Sequence, residues 1–328
     1  MANTNNPTPT PINGFLNLYK PPGITSMEAV RRVKRLAGRR QKVGHGGTMD
    51  PLARGVLPIC FGQATRLMEN VVAGKKRYLM EVEFGVATNT YDAEGEVTKT
   101  GDAAGLTENM VNTAAQSFVG AIDQIPPMYS AVKVDGQRLY KLARAGIEVE
   151  RKARPVEIFD IKLVEWSLPK VVFEVECGRG VYMRTLAHDL GEMLGCGGHV
   201  SSLERSYCAG FEASEAITLE NLEECAAQPE ALDKFIFPVD WALRGLKSTS
   251  MDPAAEKSLN NGQTVALRTP LFDAGYLEEF RAYSTDGRFL ALVRFDRAAS
   301  AWKPVKVFNL DSPSPYAPAT SEAQHPML

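Results

Sequence analysis

One stretch of the sequence stands apart for the chemistry its residue types allow: Gly44-His45-Gly46-Gly47-Thr48-Met49-Asp50-Pro51-Leu52-Ala53-Arg54-Gly55-Val56-Leu57-Pro58. Four glycines and two prolines in fifteen residues predict a fixed irregular loop, because glycine reaches backbone conformations closed to other residues. Asp50 is its only carboxylate and stands among cations that would keep it ionised and oriented, as a nucleophile or a general base requires. An Asp-Pro pair also suits a turn in which the carboxylate bonds the backbone, so both readings stand at this point. His45 could stack on a base, contact a phosphate or be structural. No Gly-Lys-Ser/Thr follows at the spacing of a Walker loop and no G-x-G-x-x-G fingerprint is present, which argues against nucleotide hydrolysis.

Two further constellations carry polar chemistry. Lys75-Lys76-Arg77-Tyr78 places three cations ahead of an aromatic, a pairing that can bind a phosphate backbone and offer a ring for stacking, or equally a core tyrosine behind a basic strand entry. Cys177-Gly178-Arg179-Gly180-Val181-Tyr182-Met183-Arg184 joins a strand to a helix and sets Tyr182 and Arg184 at the helix start. An arginine in a first helical turn opposes the helix dipole and needs an anionic partner elsewhere. Asp50 is an attractive one. The histidines (His45, His188, His199, His325) show no metal-ligand spacing, so no metal site is expected.

These side chains need elements to hold them. GFLNLYKPPG reads as a strand of alternating character stopped by Pro21 and Pro22. Thr25-Ser26-Met27-Glu28 reads as a capped helix start, with Val30, Val33 and Leu36 inward, Arg31, Arg32, Lys34 and Arg35 outward, and Gly38 closing it. RYLMEVEF alternates as a half-buried strand does, with Tyr78, Met80, Val82 and Phe84 on one side. Further strands are expected at 129–134, 157–165 and 171–177, and helices at 108–118 and 183–194. Strand runs that alternate favour an α+β fold with a mixed, largely antiparallel central sheet and flanking helices over a doubly wound parallel one. From about residue 250, QTVAL, GRFLALVRF and WKPVKVF read as short strands of a small β-rich C-terminal domain. The expected division is a disordered N-terminus (1–13), a catalytic domain (14–248) with an insert at 124–154, the small β-rich domain (249–310) and a disordered tail (311–328).

Composition bounds the rest. The chain has 328 residues, 44% hydrophobic and 23% charged, with no apolar run near the roughly 18 residues of a membrane span. A soluble, cytoplasmic, monomeric protein is the expectation. Five cysteines without a Cys-x-x-Cys pair indicate neither a disulfide framework nor a zinc ribbon. The net charge of −2 hides an uneven distribution: residues 14–80 hold 13 Lys and Arg against 3 Asp and Glu, and residues 131–154 hold 7 against 3. Two basic blocks could form a face for nucleic acid, or be a scatter of solvated cations.

At GHGGTMDPLARGVLP the sequence resembles the TruB-type tRNA pseudouridine synthases, which make pseudouridine at position 55 in the T-loop of tRNA. NLYKPPGITS, FGVATNTYDAEGE, IPPMYSAVKVDGQRLYKLARAGIEVERKARPV and CGRGVYMRTLAHDLGEMLGCGGHVSSLERS are similar to further segments of that family in the same order, over roughly residues 14–210. The C-terminal region resembles the family's small RNA-binding extension weakly. The resemblance implies a pseudouridine synthase fold and roles for matching residues: Asp50 as catalytic aspartate, Arg184 paired with it, and Tyr78 as the aromatic against the target base. Tyr182 and Leu203 would line the uridine pocket, His45 would meet the flipped nucleotide, and Lys20 and Pro21 match the N-terminal Lys-Pro element. Met49, Asn89, Glu204 and Tyr207 depart from the common pattern, where Leu, Asp and two arginines are frequent.

The reaction so implied is an isomerisation that gains no atoms, so no cofactor is expected. The partner is the tRNA T-stem-loop, with Arg138, Lys141, Arg144, Arg151, Lys152 and Arg154 of the insert as candidate phosphate contacts. The competing readings are a synthase acting on another RNA and a non-catalytic RNA-binding or tRNA-folding module.

Overall fold

The computed structural model describes residues 11–38, 41–134, 136–225, 232–266 and 275–318. His325 and most of the segments expected to be disordered lie outside them. In chain order the first half holds β1 (Gly14–Lys20), α1 (Ser26–Leu36), β2 (Val43–His45), β3 (Arg54–Phe61), α2 (Met68–Ala73), β4 (Lys76–Phe84), β5 (Val86–Thr88), β6 (Val97–Thr100), α3 (Glu108–Gln116) and β7 (Gly120–Gln124). The insert contributes β8 (Lys133–Val134), β9 (Gln137–Arg138) and α4 (Leu139–Arg144). Then come β10 (Arg154–Ser167), β11 (Lys170–Cys177), α5 (Met183–Met193), β12 (Gly198–Cys208), β13 (Phe211–Glu212), β14 (Ile217–Thr218), α6 (Leu219–Cys225) and β15 (Ile236–Phe237). Last are β16 (Ser248–Met251), α7 (Pro253–Asn260), β17 (Val265–Ala266), β18 (Glu279–Ser284), β19 (Phe289–Asp296) and β20 (Ala301–Val307).

The main sheet runs β14-β1-β3-β12-β4-β11-β10-β7, parallel at β1–β14 and β3–β12 and antiparallel at its other joins. The α+β class expected from alternation is therefore correct. One core is formed by the sheet with the inner faces of α1 (Ala29, Val30, Val33), α3 (Val111, Ala115) and α5 (Leu186, Ala187, Leu190). A second sheet, β16-β18-β19-β20-β17, sends Tyr283, Phe289 and Leu292 into a core shared with Phe15, Val56, Cys60 and Phe211 of the main sheet.

Local signals explain several elements directly. Thr25 accepts the Glu28 N–H at 3.1 Å as the α1 N-cap, and Gly38 follows at a φ of 91°. Tyr78 to Phe84 keep the two-residue alternation as β4.

Other expectations are corrected. β1 is buried along nearly its whole length, because Leu16 and Leu18 face one core and Phe15 the other; it is a central strand without an alternating exposed face. The glycine-rich loop is shorter than its glycines suggest: residues 43–45 and 54–61 are strands, and even Pro58 pairs with Asn17. Gly55 is what allows this, since a Cβ there would meet the Arg205 carbonyl oxygen at 2.3 Å. β12, unannounced by any alternation, is central; its register shifts at Val200/Ser202 and Arg205/Tyr207, which breaks the two-residue period. Only Lys133–Val134 of the strand expected at 129–134 forms one.

Residues 311–318, expected as loose tail, are packed: Pro313 bridges Arg288, Ser314 donates to the buried Asp240 carboxylate at 2.6 Å, and Tyr316 lies edge-on to Trp241. Ile12, within the segment expected to be disordered, packs against the main core.

Candidate active site

The loop between β2 and β3 is held from three sides, and each hold fixes Asp50. Ser26, in the first turn of α1, accepts the Met49 N–H at 2.8 Å and donates to the Met49 carbonyl at 3.1 Å. Lys20, at the end of β1, is 0% exposed and donates to the carbonyls of Pro21, Ile24 and Pro51 at 2.8, 2.8 and 3.2 Å. Its three ammonium hydrogens thus staple the Pro21-Pro22 turn to the residue after Asp50. Burial pulls the Lys20 pKa down to about 8, with the Asp50 charge opposing that pull. Arg205 of β12 donates to the Gly47 carbonyl at 3.2 Å from the third side.

Arg184 reaches Asp50 from the N-terminal turn of α5, with Nε to Oδ2 at 2.9 Å and Nη2 to Oδ1 at 2.8 Å. Both edges of the carboxylate are therefore held by a fork that matches its geometry. The arginine side chain is 3% exposed and the aspartate 32%, so the pair is rooted in the protein and open on the Asp50 side. Arg184 also donates to the carbonyls of Thr90 at 3.1 Å and Tyr129 at 2.7 Å, and lies 3.5 Å from the buried Asp92 carboxylate. One cation thus faces two carboxylates, and four of its five N–H groups are hydrogen-bonded. The sequence argument that this first-turn arginine needs an anionic partner is met by geometry.

The turn that carries Thr90 and Asp92 is itself braced. Tyr91 sits at a φ of 64°, an unfavourable region for a side chain of its size, and its ring stacks on His188 with centroids 3.9 Å apart. His188 lies one helical turn beyond Arg184, so a single face of α5 grips both loops. Asn89 accepts the Glu96 N–H at 3.0 Å, a task an amide oxygen performs as well as a carboxylate.

The other sequence candidates take defined places of their own. Tyr78 is partly exposed, but its hydroxyl lies deep against Arg205, and burial raises the phenol pKa. Leu203, 4% exposed, pairs with Met80 across β12 and β4, on the face that Tyr78 and Arg205 share. Tyr182 is the α5 N-cap, and Gln124 of β7 clamps its backbone through both amide atoms, at 2.7 and 3.1 Å. His45, half-buried on β2, has its Nδ1 buried without a partner, and burial together with the Arg205 charge lowers its pKa. Pro21 lies in the turn that Lys20 closes.

Some expected contacts are redistributed. Lys76 is buried and donates to the Val72 and Gly74 carbonyls, closing the end of α2, while Arg77 sits between Glu176 and Glu212 at 3.7 and 3.9 Å. Of the three cations before Tyr78, only Lys75 is strongly exposed. Glu204 pairs with Arg54 at 2.8 Å, and Arg77 lies over the Tyr207 ring at 5.4 Å. In the insert, Arg138, Lys141, Arg144, Lys152 and Arg154 are exposed, while Arg151 is half-buried and donates to the Pro126 carbonyl. The root of the insert touches α5, because Tyr129 and Ile125 accept from Arg184 and Thr185.

Sequence reasoning did not single out Ser26, Asp92, Gln124 or Arg205. Each sits in a mixed or polar stretch, where nothing along the chain names the partner that the fold brings to it. Among the described residues no group of three His, Cys, Asp or Glu is gathered to hold a metal.

Comparison with known proteins places this geometry. Residues 34–183 match the TruB family pseudouridylate synthase N-terminal domain, and residues 184–244 match the tRNA pseudouridylate synthase B C-terminal domain. The chain is 41% identical over 297 residues to a tRNA pseudouridine synthase B of Dehalococcoides mccartyi, covering 90% of this chain and 97% of that one. It is 42% identical over 281 residues to a protein of the same name from Clostridium acetobutylicum, covering 86% and 95%. Among solved structures, a Cbf5-Nop10-Gar1 complex is similar with a TM-score of 0.69 and 25% identity, covering 93% of this chain and 87% of that one. An H/ACA RNP bound to a substrate RNA containing 2'-deoxyuridine shares the fold at a TM-score of 0.69 and 23% identity, with the same coverage.

Proposed function

The chain belongs to the TruB family of pseudouridylate synthases, and from that premise we propose that it isomerises uridine 55 in the T-loop of tRNA to pseudouridine at the Asp50 site. The observation that carries the reading is the Asp50 carboxylate, bonded on both edges by a buried arginine and open on its remaining side. Such a carboxylate is aimed by the fork that grips it and left open to a substrate.

The reaction breaks the bond between N1 of uracil and C1′ of the ribose, turns the base and joins its C5 to C1′. The proton on C5 leaves and N1 gains one, so atoms balance without a co-reactant. Asp50 acts on the ribose, by attack at C1′ or by removing the C2′ proton. Either route needs the uridine out of its stack, where Tyr78 meets one face and Leu203 and Tyr182 close around it. Exclusion of water matters as much, because water reaching an activated C1′ would release free uracil. The exposed cations of the insert bind the stem through its phosphates, and the protein acts as a monomer.

The test is tritium release from C5-labelled uridine in a T-stem-loop transcript. Wild type is expected to release the label and Asp50→Asn to release none. Full release by the Asn variant would refute the role of Asp50, and no release by wild type would refute the activity on this substrate.

A further inference from the structure

We propose that Arg205 is a positioning residue for the uridine pocket, its guanidinium joining the Tyr78 hydroxyl to the Gly47 carbonyl so that the stacking ring and the Asp50 loop move as one unit. The proposal rests on the function proposed above, since it takes Tyr78 as the ring that meets the base.

Arg205 is 1% exposed and is among the largest fully buried side chains of the protein. A buried guanidinium is ordinarily matched by a carboxylate. Among the described residues none lies within 4.0 Å of this one. Its donors go instead to the Val56 carbonyl at 2.7 Å and the Gly47 carbonyl at 3.2 Å, and the phenol of Tyr78 lies against it.

Those three contacts belong to the parts that must be registered with one another. Gly47 is on the way into the catalytic loop and Val56 is on the way out, so one side chain spans the loop that carries Asp50. Tyr78 is the direct cross-strand partner of Arg205. Directly paired positions on neighbouring strands turn their side chains to the same sheet face, so the guanidinium backs the Tyr78 ring. The angle of the ring is thereby set from behind. The cation also acts on His45, where its charge adds to burial in lowering the imidazole pKa. This arrangement differs from that of Arg184, which holds the carboxylate itself. Arg205 touches no reacting group and works through Tyr78 and the loop backbone.

The full-length variants Arg205→Lys and Arg205→Gln separate this role from mere support of the fold. Lysine keeps the charge but loses the planar fork, so it cannot reach both carbonyls and the phenol. For Arg205→Lys, the single-turnover rate on a T-stem-loop transcript is expected to fall roughly 30- to 100-fold, the scale of a misplacement by about 1 Å. The Kd for the transcript is expected to stay within about twofold, because no phosphate contact changes. His45, followed by proton NMR titration without any RNA, is expected to titrate as in wild type in the Lys variant and at higher pH in the Gln variant. A wild-type rate in Arg205→Lys would overturn the proposal, as would a Kd that rises in step with the fall in rate. An unmoved His45 titration in a folded Arg205→Gln would also overturn it. Failure of wild type to convert uridine would instead refute the proposed function, and the NMR arm would still report where the Arg205 charge acts.

Discussion

Removing either half of the Asp50–Arg184 pair should abolish turnover, but the two losses should differ sharply in stability. Arg184→Met deletes two bonds to Asp50 and those to the Thr90 and Tyr129 carbonyls, and leaves Asp92, whose side chain is 5% exposed, with its bonds from Thr90 and Glu94 but no cation. Breaking a buried ion pair from one side costs about 3–5 kcal/mol, and at roughly 2–4 °C per kcal/mol for a chain of this size Tm should fall by about 10 °C. Asp50→Asn is different. Arg184 keeps Asp92 and both carbonyls, and the position is already a third open to water, so the cost should stay near 1 kcal/mol or a few degrees. Neutralising the carboxylate left without a cation should restore part of the loss: Arg184→Met/Asp92→Asn is expected to melt above Arg184→Met by about 2 kcal/mol of stability while remaining inactive. Calorimetric melting of the four proteins, with tritium release run in parallel, decides the matter. Equal destabilisation by Asp50→Asn and Arg184→Met would refute the view that the arginine is anchored from behind and Asp50 is its exposed, working partner. So would a double variant no more stable than Arg184→Met.

Three further outcomes are expected. Lys20 has a pKa near 8 when folded against an ordinary 10.5, so between those values the unfolded chain holds a proton the native protein lacks, and folding gains stability as pH rises through that window. Over the same window the amine loses one of the donors that staple the loop, so the rate should bend down above about pH 8; Lys20→Arg, whose cation does not titrate there, should lack that bend, and an identical alkaline limb in both proteins would exclude Lys20 as its cause. Charge reversal at Arg138 or Lys141 should weaken transcript binding and lower the salt slope of log K by about 1 for each phosphate left without its cation, leaving the rate at saturating RNA unchanged; filter binding across a salt series would show it. Cys60, Cys177, Cys196 and Cys208 are buried and Cys225 is exposed, with burial pushing the Cys60 and Cys177 thiols up to about 12. A disulfide reagent should therefore modify Cys225 rapidly in the native protein and the other four only with denaturant, and fast reaction of a second thiol would contradict this packing.

Sequence alone determined what depends on neighbours along the chain. The α1 cap and its inner stripe, the alternation of β4, the glycine break before α5 and the run of motifs through residue 210 are all local or nearly local patterns. From them came the α+β class, the family resemblance and the candidates Asp50, Tyr78 and Arg184. The departures at Asn89, Glu204 and Tyr207 were legible as differences, but only the structure showed the contacts each makes: a turn closed through an amide oxygen, an ion pair with Arg54 and a cation over a ring.

Tertiary structure decided the rest, because a buried polar group is satisfied by whatever the fold brings to it. Lys76 and Lys20 look alike as cations in a basic stretch, yet one closes α2 and the other staples the loop that carries Asp50. β12 carries no clean period because bulges break its register, so neither its central place nor the burial of Arg205 could be read from spacing. Asp50 and Arg184 stand 134 residues apart, and only closure of the sheet brings them within 3 Å.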